Sequence, residues 1–85
     1  MALVKGGFTE PTLGSSNGSD LSGSNGATNR TLNLGGVSKR EIVFVQGRFL
    51  HPIQEYTKAT VGGVSQITFL GKVYDQHYIE IYYWT

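Results

Sequence analysis

An 85-residue chain with a net charge of +1 and no cysteine has room for one small domain and none for a disulfide framework. Its mixed charges exclude the concentrated basic surface that phosphate-backbone binding requires. No apolar run approaches the roughly 20 residues of a membrane-spanning helix. Apolar residues are unevenly spread: ten fall in residues 1–36 and twenty-three in residues 37–85, including nine of the ten aromatics. The composition therefore divides the chain into an extended Gly/Ser/Asn-rich arm over residues 1–36 and a β-module over residues 37–85. A folding unit of about fifty residues has a marginal core. Without disulfides such a unit leans on a metal or on a partner chain.

The opening MALVKGGFTEP holds one lysine and a very short apolar stretch, which is not the pattern of a secretory leader, so folding in the cytosol is expected. Residues 14–31, GSSNGSDLSGSNGATNRT, are almost wholly small and polar, and Ser16-Asn17-Gly18 is echoed by Ser24-Asn25-Gly26. Gly and Asn tolerate positive φ, and short polar side chains compete for backbone hydrogen bonds, so regular helix is disfavoured. Two readings fit: a flexible linker, or an arm that becomes ordered against neighbouring subunits. On the second reading Leu3, Val4, Phe8, Leu13, Leu21, Leu32 and Leu34 are the anchoring points. The arm would then run across neighbours by backbone hydrogen bonding, as strand-adding peptides do at exposed sheet edges.

From Val37 onward the pattern is β. Glu41-Ile42-Val43-Phe44-Val45 is rich in β-branched and aromatic residues. Gln46-Gly47 sits where a two-residue hairpin turn belongs, with Arg48-Phe49-Leu50 returning. Pro52 ends that strand and opens a loop. Residues 56–61 form a third extended stretch, which Gly62-Gly63 turns into residues 64–69. There Ile67 and Phe69 point one way and Gln66 and Thr68 the other. After a connection over residues 70–76, residues 77–84 make the last strand. Ile79, Ile81 and Tyr83 lie on one of its faces, and Tyr78, Glu80, Tyr82 and Trp84 on the other. No stretch keeps a helical period. The expected fold is all-β, a small antiparallel β-sandwich or partly closed barrel with a long extended N-terminal arm. Tyr56 and Phe69 are expected in the core, and Asp75 is expected to cap a turn.

Catalytic chemistry finds little support. Asp75-Gln76-His77 places an acid near an imidazole, but no nucleophile motif accompanies them. His51 and His77 lack metal-ligand spacing. Gly35-Gly36-Val37-Ser38-Lys39 lacks the spacing of a phosphate loop and leads into a strand. The chain is read as a non-enzyme, with no catalytic, cofactor or metal residue assigned. Two binding surfaces are legible. Lys39, Arg40 and Arg48 beside Phe44 and Phe49 suggest a platform for single-stranded nucleic acid. Tyr78, Tyr82 and Trp84 share a strand face, which suits either stacking on sugars or packing against another subunit, and packing is preferred.

The ordered set Val45-Gln46-Gly47, Leu50-His51-Pro52, Glu55-Tyr56-Thr57, Ile67-Thr68-Phe69 and the closing Ile79-Glu80-Ile81-Tyr82-Tyr83 resembles a short β-module of bacteriophage tail-fibre, head-fibre and related virion structural proteins. The likeness covers about residues 41–84, roughly half of the chain. Asp75 matches the acid before the last strand, whereas Tyr74 stands where the module usually has glycine. The resemblance implies a virion structural protein, made in the host cytoplasm and often trimeric. Its expected role is capsid decoration or cement, or fibre anchoring. Its expected partners are copies of itself and a larger virion protein such as the major capsid protein, with no cofactor. The alternative is a tail-fibre component contacting a host receptor or glycan. The third reading is a single-stranded nucleic-acid-binding β-barrel.

Overall fold

The computed structural model describes residues 10–85, and the expected anchors Leu3, Val4 and Phe8 lie outside them. Seven strands follow in chain order: β1 (Thr12–Asn17), β2 (Arg30–Asn33), β3 (Arg40–Val45), β4 (Arg48–Phe49), β5 (Tyr56–Val61), β6 (Val64–Phe69) and β7 (Tyr78–Trp84). They form two separate antiparallel sheets and no closed barrel. The larger sheet has the order β1-β7-β3-β4, and the smaller has the order β2-β6-β5.

Local chemistry explains the two hairpins. Gln46 and Gly47 have φ of 54° and 77°, and Gly62 and Gly63 have φ of 64° and 84°. Two successive positive φ values give the turn whose twist matches that of the flanking strands. Each turn is closed by a directly opposed pair, Val45 with Arg48 and Val61 with Val64. This register places Ser65, Ile67 and Phe69 of β6 on the inner face, all but inaccessible to solvent. From the larger sheet Val43, Ile79, Ile81 and Tyr83 join them in one core cluster. Burying each aliphatic side chain of this size contributes about 1.5–3 kcal/mol. The aromatic C-terminal strand is thus an inner strand, paired with β1 on one side and β3 on the other.

The structure departs from the sequence reading over residues 12–36. The small polar stretch expected as linker or arm supplies an edge strand to each sheet. β1 pairs with β7 along its whole length, from Thr12 opposite Tyr83 to Asn17 opposite Tyr78. β2 pairs with β6, from Arg30 opposite Phe69 to Asn33 opposite Gln66. Leu21 and Leu34 are buried in this chain's own core and Leu32 packs against it, so these three face inward instead of meeting a neighbour. Leu13 is exposed. The physical reason is backbone pairing. Small side chains contribute little burial, but their N–H and C=O groups complete ladders on strands that are already ordered.

The Gly/Ser/Asn loop between β1 and β2 is held by the loop between β6 and β7. Gly18 N–H donates to His77 O (2.8 Å), Gly26 N–H to Val73 O (3.0 Å) and Asp75 N–H to the Asn25 side-chain oxygen (2.8 Å). Arg30, 2 % exposed, anchors the same junction. Its Nε donates to Ser22 O (2.9 Å), one terminal nitrogen to Val73 O (2.7 Å) and the other to Asp75 Oδ1 (2.9 Å). Asp75, expected to cap a turn through backbone N–H groups, instead directs its carboxylate to this buried guanidinium.

Gly18 is needed here for space. A Cβ built on it would sit 1.9 Å from Tyr74 O, which is backbone and cannot swing away. By contrast, a Cβ on Gly71 meets nothing within 4 Å. Gly18→Ala is expected to lose about 2 kcal/mol of stability in urea unfolding, in the range typical of overpacking. Gly71→Ala is expected to stay within about 0.5 kcal/mol of the parent. Equal effects of the two substitutions would contradict this close approach.

Candidate interaction face

The outer face of the larger sheet is built by strand alternation. With Ile79, Ile81 and Tyr83 turned inward, β7 presents Tyr78, Glu80, Tyr82 and Trp84 outward. Pairing with β3 sets Arg40 beside Trp84, Ile42 beside Tyr82 and Phe44 beside Glu80. Pairing with β1 sets Leu13 beside Tyr82 and Ser15 beside Glu80. Phe49 of β4 joins opposite Phe44.

Four rings, His51, Phe49, Phe44 and Tyr82, form a continuous edge-to-face row running from the end of β4 across β3 to β7. Ring centroids are 5.2 Å apart for His51 and Phe49, 6.1 Å for Phe49 and Phe44, and 6.3 Å for Phe44 and Tyr82. Such geometry aligns positive ring edges with negative ring faces. At one end of the face the Arg40 guanidinium carbon lies 4.5 Å from the Trp84 ring centroid, a cation–π distance. At the other end Tyr78 OH lies 3.2 Å from Ser15 Oγ, and Tyr78 N–H donates to Gln46 Oε1 at 2.5 Å. Leu13, Phe49 and Tyr78 are 51 %, 42 % and 44 % exposed, while Tyr82 and Trp84 are half-buried. A contiguous apolar patch of this kind marks an interaction surface more often than chance exposure does.

Tyr78, Tyr82 and Trp84, singled out from the sequence, do share this face. The sequence reading missed Ile42 and Leu13 as members, and it set Phe44 and Phe49 in a different surface. The available signal was the alternation within residues 40–44, whose outward set is Arg40, Ile42 and Phe44. The supposed nucleic-acid platform is split. Arg40 lies over Trp84, whereas Arg48 donates to Glu55 Oε2 at 2.6 Å. That pair lines a separate cleft of about 320 Å³ at the end of the two sheets, floored by Val45, Leu50, Phe69 and Val73. Asp75 and His77 are not paired: Asp75 takes Arg30, and His77 Nδ1 accepts the Tyr74 N–H at 3.2 Å.

A polar bridge between the sheets lies behind the Arg40 end of β3. Glu41 Oε1 accepts from Lys58 Nζ (2.8 Å) and Glu41 Oε2 from Tyr56 OH (2.9 Å). Ser38 Oγ stands 3.2 Å from Oε1. Burial raises the Glu41 pKa, but the hydrogen bonds from Lys58, Tyr56 and Ser38 and the Lys58 charge together outweigh it and leave the carboxyl below its ordinary value. Burial, then the adjacent carboxylate, pushes the Tyr56 phenol well above its ordinary value of 10.0.

No family model matches the chain, and neither a curated protein nor a solved structure matches it.

Both shifts carry a direction for stability. The depressed Glu41 stabilises fully above its unfolded value near 4.5 and loses that contribution as pH falls through the folded value. The raised Tyr56 stabilises fully below about 10 and loses it as pH rises through the folded value. A tyrosinate absorbance step is therefore expected above the ordinary tyrosine range, coincident with unfolding and missing in Tyr56→Phe. If Tyr56→Phe leaves the alkaline titration unchanged, the bridge is wrongly drawn.

Proposed function

We propose that the chain is a virion structural component, a capsid decoration, cement or fibre-anchoring module. Its partners on this reading are copies of itself and a larger virion protein such as the major capsid protein. The observation that carries this reading is the continuous aromatic row on the outer face of the four-stranded sheet. It offers rigid, desolvatable rings suited to a stable protein contact. Resemblance of residues 41–84 to phage fibre modules supplies the setting. The two-sheet architecture, a small antiparallel β-sandwich, suits a body that holds this face flat against a neighbour.

A receptor or glycan reading draws on one specific feature, the Glu80 carboxylate among Tyr78, Tyr82 and Phe44. Stacking rings with an acceptor between them also suit a sugar. The subunit reading is preferred because the row is longer than a single sugar ring needs and its Tyr82 end is flanked by aliphatic Leu13 and Ile42.

Mass spectrometry of purified virus particles tests the proposal. The wild-type chain is expected in them at fixed stoichiometry. Tyr82→Lys, which charges the face without touching the core, is expected to be depleted at least about tenfold while remaining folded in the producing cell. Particles lacking the wild-type chain, or taking up Tyr82→Lys normally, would overturn the reading. Normal uptake of the variant with loss of host adsorption would favour the receptor alternative.

A further inference from the structure

The cleft at the end of the two sheets shares no residue with the aromatic row. It opens where both sheets run out. β4 is only two residues long and β6 ends at Phe69, so neither sheet continues over Val45, Leu50, Phe69 and Val73, which floor a space of about 320 Å³. Backbone bonds fix its walls. Leu50 N–H donates to Val43 O (2.9 Å), Gly26 N–H to Val73 O (3.0 Å) and Leu70 N–H to Glu55 O (3.0 Å). The last of these ties together the two loops that line the space. Leu50, Phe69 and Val73 are themselves core residues, so the floor is as rigid as the core behind it. A preformed, mainly apolar cleft of this size with a few polar groups at its rim is the usual form of a small-molecule site.

The rim decides the charge of the molecule that fits. Arg48 donates to Glu55 Oε2 (2.6 Å), and Glu55 Oε1 accepts the His51 N–H (2.8 Å). This carboxylate is therefore held in place, and its charge cancels that of the guanidinium. Lys72 lines the same cleft and makes no ion pair among the described residues. The lining thus carries one uncompensated positive charge beside an apolar floor. A neutral occupant would strip water from the ammonium without replacing it, and a cation would be repelled. A dianionic phosphate calls for a second cation, and Arg48 is already matched. A monoanion with an apolar body answers both the floor and the rim.

We propose that this cleft binds a small carboxylate with an apolar body, such as a medium-chain alkanoate. The tail lies on Val45, Leu50, Phe69 and Val73, and the head group meets the Lys72 ammonium. Gln54, also in the lining, brings a side-chain amide donor to the same rim. Burial of the tail supplies the attraction. The ion pair forms against a low-dielectric floor, so it selects the sign of the head group more strongly than a pair in open water does. The site is independent of the subunit interface proposed for the outer face, and either can stand without the other.

Titration of the full chain with octanoate and with octylammonium, followed by backbone amide NMR, tests the site. Octanoate is expected to shift the amides of Leu50, Leu70 and Val73 saturably, and octylammonium to bind at least about tenfold more weakly. Lys72 is exposed, so Lys72→Glu leaves the fold intact and is expected to reverse that preference. Val45→Phe, which extends a ring from the floor into the space, is expected to weaken octanoate binding about tenfold or more. If Val45→Phe loses its dispersed spectrum, the Lys72→Glu comparison carries the test alone. No saturable shift with octanoate, equal binding of the two probes, or an unchanged preference in Lys72→Glu would overturn the proposal. So would shifts centred on Tyr82 instead of the cleft, or cleft amides that move on dilution without ligand, which would mark a neighbouring chain as the occupant.

Discussion

The buried guanidinium of Arg30 is the constraint on which the described structure turns. A charge with 2 % exposure persists only when its donors are matched, since an unmatched buried ion costs several kcal/mol. Here the match comes from Ser22 O, Val73 O and Asp75 Oδ1, contributed by the two long polar loops. The requirement fastens the β1–β2 loop to the β6–β7 loop. With those loops joined, β1 is delivered to the edge of the larger sheet and β2 to the edge of the smaller one. Without β1 the outer face would lack Leu13 and Ser15, and the inner strand β7 would become an edge.

A second set of polar contacts acts across the sheets at the other end. Glu41, Lys58, Tyr56 and Ser38 link β3 to β5. Ser65, 1 % exposed, accepts the Ser38 N–H through its hydroxyl and exchanges backbone bonds with Leu34 and Gly36. Tyr83 OH accepts the Gly35 N–H at 3.1 Å. The small core is therefore closed at both ends by directed hydrogen bonds. Such bonds add modest net stability but strongly penalise alternative registers, because buried donors must find partners. A rigid sheet then presents its aromatic side chains at fixed spacing, which is the property a contact surface needs.

The strands from β3 onward were legible because their signals are local. Alternation gave the inner faces of β6 and β7, and Gln46-Gly47 and Gly62-Gly63 gave two turns. β1 was not legible: Thr-Leu-Gly-Ser-Ser-Asn carries little β preference, and tertiary pairing with β7 decides its conformation. β2 carried a faint trace, the alternation of Leu32 and Leu34, and its decisive residue is an arginine that looks like ordinary surface charge in a polar stretch. Tyr78, Tyr82 and Trp84 were legible as a set because they lie on one strand. Their union with Phe44, Ile42 and Leu13 depends on β7 lying between β3 and β1, and no local signal specifies that order.

On this structure the Gly/Ser/Asn-rich stretch belongs to the same cooperative unit as the aromatic strand, held there by Arg30. Native-state hydrogen exchange measures this directly, because it gives an opening free energy for each amide. The paired amides of β1 and β2 are expected to open with a free energy within about 1 kcal/mol of those in β7, and all are expected to fall together in Arg30→Met. Amides of β1 and β2 that exchange freely while β7 stays protected would contradict the account.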